Sequence, residues 1–220
     1  MEGILKATLE VPYWCSFRVP TAVNVHPTYP VPPLTTIYGL LAAAMGWGAD
    51  NYSYLEKMKI GLILVEKGER IEGYNKIIKW DRRDREMRTL VMRHKLIKPI
   101  FELLVKGEEA LLRDMAKALG NPHFPLYLGE SDDLIEVKDV GVFPLVELET
   151  EEIDSILPQD SGRPVSQVEL VFLPTGFLWE EKGKNRLWSG VNYKGYYIAS
   201  KIKVEKPLTA YLVDNKRVVL

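Results

Sequence analysis

Two stretches of helical spacing, residues 35–47 and 108–119, each stand between short apolar runs, and this order limits the architectures open to the chain. Residues 3–11 precede the first; apolar Ile4 alternates there with polar Lys6 and Thr8, the pattern of a half-buried strand. Residues 59–67, KIGLILVEK, follow it as an apolar run bounded by charges, and 68–78 begin a further strand after a turn. The second helical stretch carries Ala110, Leu111, Met115, Ala118 and Leu119 at helical spacing, with Gly120 placed as its C-cap. It lies between the strand-like KPIFELLVKG (98–107) and FPLYLG (124–129), which predicts a short strand ending in a turn.

The predicted order is strand, helix, strand, insertion, strand, helix, strand. An α+β fold follows, with a ferredoxin-like βαββαβ arrangement of the kind found in RNA-recognition (RRM-like) domains, over residues 1–137. The insertion, about 76–98, is read as a protruding basic β-hairpin whose flanks NKIIKW and TLVMRHKLI pair across the tip DRRDREMR. Residues 138–220 hold short β-like runs with Pro and Gly turns, and are read as a smaller C-terminal β-rich region.

The net charge is −1, yet residues 76–98 hold nine Lys/Arg against three Asp/Glu, and 130–154 hold ten acids against Lys138 alone. A basic segment on an acidic body attracts a polyanion at one place, and Trp80, Met87 and Met92 interleave with those charges. The longest apolar run, 37–47, is shorter than the roughly 20 residues that span a bilayer, so no membrane partner is expected. With a single cysteine, Cys15, and no leader pattern, the expected location is cytoplasmic. Neither metal-ligand spacing nor a glycine-rich phosphate loop occurs, so the reading includes no metal and no cofactor.

The stretch TYPVPPLTTIYGLLAAAMGWG stiffens the chain just before its first helix. Pro27, Pro30, Pro32 and Pro33 fix their own φ and push each preceding residue toward extended conformations. Thr35 is the expected N-cap, and the open N–H groups of that first turn suit phosphate. Gly39, Ala43 and Gly46 leave one helix face nearly bare, which predicts close approach of another backbone.

FRVPTAVNVHPTYPVPPLTTIYGLLAAAMG resembles the N-terminal signature of the CRISPR-associated family numbered five (Cas five), a branch of the RAMP superfamily. FPLYLGESDDLIEVKDV (124–140) resembles its Tyr-Leu-Gly-x-Ser motif and the acidic stretch that follows. The resemblance implies a non-catalytic guide-RNA (crRNA)-binding subunit of a type I interference complex (Cascade), acting in antiviral defence. Such a subunit holds the 5′ handle of the guide, caps the effector backbone, contacts the backbone and large subunits and meets target DNA indirectly. It also implies a hairpin thumb between the second and third sheet strands, where composition already places the basic insertion. Arg82, Arg83, Arg85 and Arg88 at the tip, with Arg93 and Lys95 on the returning strand, are the leading RNA contacts; Arg18, Thr35 and Thr36 are further phosphate contacts. The alternative is a metal-independent endoribonuclease that processes precursor guide RNA. One branch of the family uses a Tyr with an adjacent Lys-His pair; the nearest candidates here are His94-Lys95, in reversed order, with Tyr38 or Tyr29.

Overall fold

The computed structural model describes residues 1–20, 25–48, 51, 54, 57–80, 86–182 and 185–220, with backbone alone at 79, 179, 181, 182 and 185–189. Its elements are β1 (Glu2–Glu10), β2 (Trp14–Cys15), β3 (Val25–His26), α1 (Leu34–Met45), β4 (Lys59–Glu66), β5 (Glu69–Trp80), β6 (Glu86–Ile97), β7 (Ile100–Glu108) and α2 (Glu109–Gly120). They continue with β8 (Glu136–Pro144), β9 (Glu147–Ile153), β10 (Leu157–Pro158), β11 (Glu169–Lys182), β12 (Asn185–Ile198), β13 (Ile202–Val213) and β14 (Lys216–Val218). The protein is thus mixed α+β, mostly strand.

Strands β4-β7-β1-β8 form one sheet, every neighbouring pair antiparallel. Because side chains alternate across a strand, β1 sends Leu5, Ala7 and Leu9 to one face and Ile4 and Lys6 to the other. The first face joins Leu62, Phe101, Leu103 and Val105 in a buried core. Helix α1 covers it with Ile37, Leu41 and Ala44, and α2 with Leu112, Met115 and Leu119. The second face is covered as well: Ile4, Ile63 and Leu104 pack against Val213 and Val218 of the β13–β14 hairpin. Two positive-φ residues, Asp214 and Asn215, make its two-residue turn. Coverage on both faces accounts for the nearly continuous apolar reading of β4 and β7.

The strand expected at residues 124–129 lies elsewhere. That stretch makes a single bridge, Tyr127 to Leu134, and the strand beside β1 is β8, paired from Gly3 with Pro144 to Glu10 with Glu136 around a register shift between Lys6 and Thr8. Pro122 and Pro125 punctuate the earlier stretch, and Gly129, at φ +114, turns the chain before it can extend.

The start of α1 also differs from expectation. Pro33 is its N-cap (φ −56, ψ 149), no side chain caps the helix, and Thr35 is already its second residue. The Pro33 carbonyl takes the N–H groups of Thr36 (2.9 Å) and Ile37 (3.2 Å). A proline in this place supplies a carbonyl, a fixed φ and an extended ψ, so the turn closes without a hydroxyl. Gly46 ends the helix at φ +68, where a Cβ would meet the His123 ring at 2.7 Å. Gly39, in contrast, has nothing among the described residues within 4 Å of a built Cβ, so no described backbone outside its own helix approaches it. Gly39→Ala is therefore expected to raise stability by about 1 kcal/mol through helix propensity, read as a higher urea midpoint. An unchanged or lower midpoint would show that the position is not open.

Between β4 and β7 the chain leaves the sheet as the β5–β6 hairpin, paired continuously from Glu69 with Ile97 to Trp80 with Glu86. Gly68, at φ +70, starts it where a Cβ would lie 2.4 Å from the Ile97 carbonyl oxygen. Its base is held by β2, antiparallel to β6, and by β3, parallel to it. The C-terminal half adds the sheets β10-β12-β11 and β14-β13-β9.

Candidate nucleic-acid interface

The hairpin presents two unlike faces. Strand alternation puts Tyr74, Lys76, Ile78 and Trp80 of β5 on one face with Leu90 and Arg88 of β6. Tyr74, Trp80 and Leu90 are 72%, 68% and 67% exposed, so bulky apolar groups stand in solvent among basic ones. Arg88 forms an ion pair with Glu86. Arg82, Arg83 and Arg85 lie outside the described residues.

Arg93 and Lys95 point to the opposite face of β6. The Lys95 ammonium sits 4.3 Å from the Trp14 ring centroid, a cation–π contact worth about 0.5–1 kcal/mol at an exposed site. Arg93 donates to the Glu130 carboxylate of the YLGES motif, tying the root of the hairpin to the loop that follows α2.

That loop borders a hollow of about 360 Å³, within the range of small-ligand sites. Arg18, Thr35 and Thr36 all line it, so three residues singled out from sequence meet at one place. Glu130, Phe177 and Tyr193 line it as well. Arg18 reaches the rim because FRVP pairs with HPTYP: Tyr29 N–H donates to the Phe17 carbonyl at 2.9 Å and Val19 N–H to the Pro27 carbonyl at 2.9 Å. Phe17 N–H is taken by the Thr28 hydroxyl at 2.8 Å. Arg18 itself is exposed and makes no ion pair among the described residues. The Tyr29 hydroxyl lies near that of Tyr193, and burial together with that neighbour pushes its pKa up to about 12. It stays a neutral donor at any ordinary pH.

The SDD stretch of the same motif, Ser131 to Asp133, includes a buried brace. Asp133 is 2% exposed, and its Oδ2 accepts the backbone N–H groups of Ser16 and Glu130, both at 2.9 Å. Gly129 has no room for a side chain: a Cβ would lie 2.6 Å from the Ser16 carbonyl oxygen and 2.8 Å from Asp133 Oδ2. The motif therefore fixes the Ser16–Arg18 loop to the Glu130 loop. Among the described residues no group of three His, Cys, Asp or Glu could hold a metal.

His94, Lys95 and Tyr38 are not brought together. His94 is buried, with Arg70 donating to Nδ1 and Glu72 lying 3.3 Å from Nε2. Lys95 faces the other side of β6. Tyr38 lines a separate hollow with Lys59, Asp160, Lys194 and Tyr196, and burial raises its hydroxyl pKa. Cys15 is buried beside Asp133, and desolvation pushes its thiol well above the usual thiol range, which leaves it inert as a nucleophile.

Sequence reasoning missed Glu130, Phe177 and Tyr193 as lining residues. Glu130 occupies the variable position of a recognisable motif, which was the available signal; nothing local distinguishes Phe177 or Tyr193 from other strand aromatics.

The family model for CRISPR-associated protein (Cas_Cas5) matches residues 4–190. No curated protein matches. Among solved structures, a chain described as "CRISPR RNA-guided surveillance complex" is similar at TM-score 0.60 and 18% identity, covering 93% of this chain and 91% of that one. A CRISPR protein from Archaeoglobus fulgidus is similar at TM-score 0.56 and 16% identity, covering 99% and 98%. A chain of a Type III-B Cmr-beta complex bound to cognate target RNA is similar at TM-score 0.53 and 9% identity, covering 90% and 86%. At these identities the likeness is one of fold.

Proposed function

This chain belongs to the Cas_Cas5 family of CRISPR-associated proteins, and from that premise we propose that it is a non-catalytic guide-RNA-binding subunit of a type I interference complex. It holds the 5′ handle of the guide and caps the effector backbone, in contact with backbone and large subunits. The observation that carries this reading is the Arg93–Glu130 bond, which joins a protruding basic hairpin to a hollow already lined by Arg18, Thr35 and Thr36. Single-stranded RNA needs cations for its phosphates and flat surfaces for unstacked bases, and the two features together offer both.

The sheet order β4-β7-β1-β8 with α1 and α2 as crossovers supports a ferredoxin-like reading of the first part, with β5–β6 as its thumb. We set the limit of that domain in the link between β8 and β9, since β8 pairs with β1 along its length. The covered outer sheet face argues against base stacking on the sheet itself, so hairpin and hollow are the RNA-facing surfaces of this proposal. The endoribonuclease alternative lacks comparable support, because His94 and Lys95 point to opposite faces of β6 and Tyr38 lines another hollow.

The test is titration of the purified chain with a single-stranded RNA carrying a repeat-derived 5′ handle, at several salt concentrations. Each phosphate contact adds about 0.7 to the magnitude of the log–log salt slope. Replacing Arg18 and Lys95 by Gln is expected to lower the slope by about 1.4. Replacing Arg82, Arg83, Arg85 and Arg88 together is expected to lower it further. An unchanged affinity and slope in both variants at moderate salt overturns the assignment.

A further inference from the structure

A carboxylate is the wrong group to place along a phosphate chain, yet Glu130 lines the hollow beside Arg18. Its position is set from three sides. Gly129 turns the backbone at φ +114, Asp133 Oδ2 accepts the Glu130 N–H at 2.9 Å, and Arg93 donates to Glu130 Oε2. Oε1 has no hydrogen-bond partner among the described residues, and the side chain keeps 27% of its exposure. The hollow is therefore lined by an oriented acceptor together with two aromatic residues, Tyr193 and Phe177.

We infer that this hollow takes a single unstacked RNA base and that Glu130 reads its edge, favouring a base with an exocyclic amine over uracil; the inference rests on the RNA-binding reading above. Cytosine and adenine each offer an amino group to a carboxylate. Uracil offers one N3–H flanked by two carbonyl oxygens, whose partial negative charge faces Oε1. Tyr193 supplies a stacking surface that tolerates any base, so the choice falls to Glu130. Arg93 offsets the carboxylate charge toward nearby phosphates without occupying Oε1.

Fluorescence anisotropy with eight-nucleotide oligo(C), oligo(A) and oligo(U) on the full chain tests this. The wild-type chain is expected to bind oligo(C) and oligo(A) roughly tenfold more tightly than oligo(U). Glu130→Gln brings that ratio below about twofold, because its amide N–H now donates to a uracil carbonyl. Glu130→Asp, which keeps the charge and withdraws the oxygen, also lowers the ratio. Arg18→Gln, which removes a phosphate contact and leaves the Arg93–Glu130 bond intact, weakens all three RNAs to a similar degree and leaves the ratio in place. A ratio unchanged in both Glu130 variants, or a uniform weakening in which they mimic Arg18→Gln, overturns base reading while RNA binding stands. Failure of the wild-type chain to bind any of the three overturns the RNA-binding reading itself.

Discussion

Glu102→Ala is expected to lower the stability of the protein by about 3 kcal/mol, at the lower end of the range for breaking a buried ion pair. For a chain of this size that corresponds to a fall in Tm of roughly 6–12 °C. Glu102 lies on the outer face of β7 with a side chain 10% exposed, 2.8 Å from Lys216 Nζ and 3.9 Å from Lys6 Nζ. Lys6 is 7% exposed and also bonds Asp214 in the β13–β14 turn, whose carboxyl it holds below the usual range. Removing Glu102 leaves the buried Lys6 charge with one partner instead of two, while the more exposed Lys216 turns to water. The double variant Lys6→Met/Glu102→Leu is expected to recover most of the loss, since an apolar replacement of a buried pair is often neutral. Paired denaturation curves check both numbers; a loss under about 1 kcal/mol in the single variant would mean that water reaches the cluster. The same cluster pins the C-terminal hairpin over the sheet face.

The second large effect is expected at Asp133. Asp133→Ala strips the acceptor from two backbone N–H groups, at a cost of about 1–3 kcal/mol each, and frees the Ser16–Arg18 loop from the Glu130 loop. Thermal melts should show the loss, and affinity for handle RNA should fall with it because Arg18 and Glu130 no longer share one wall. Asp133→Asn is the informative partner: both N–H groups use Oδ2 alone, so an amide oxygen in that place keeps both bonds. Its loss is expected to stay under about 1 kcal/mol. Burial, opposed by these two N–H donors, raises the Asp133 carboxyl above its ordinary 3.8. The stability it contributes is therefore fully present below 3.8 and declines as pH rises through the raised folded value. Asp133→Asn removes that slope, which a pH series of melts reads directly.

The chain order of β1, α1, β4, β7 and α2 was legible because apolar spacing is a local property, and a strand or helix must bury its apolar side whatever its neighbours are. The basic hairpin was legible for a related reason: a run of like charge beside Trp80 and Met87 remains at the surface in any fold. Other readings depended on competition. Thr35 is a good cap by residue type, but Pro33 stands two residues earlier and closes the turn with its own carbonyl. Residues 124–129 and 136–144 both offer strand-like runs, and only pairing with β1 selects the second.

Amino-acid order thus decided the element sequence, the covered apolar faces and the position of the basic hairpin, all of which follow from periodicity and charge along one dimension. Tertiary packing decided which residues share a site. Tyr193 meets Tyr29, and Phe177 faces the hollow rimmed by Arg18, across more than 150 residues of chain. His94 and Lys95, neighbours in sequence, are parted onto opposite faces of one strand. The physical reason is that such meetings are fixed by strand register, by which face is buried and by where buried groups such as Asp133 find donors, and none of these is a property of adjacent residues.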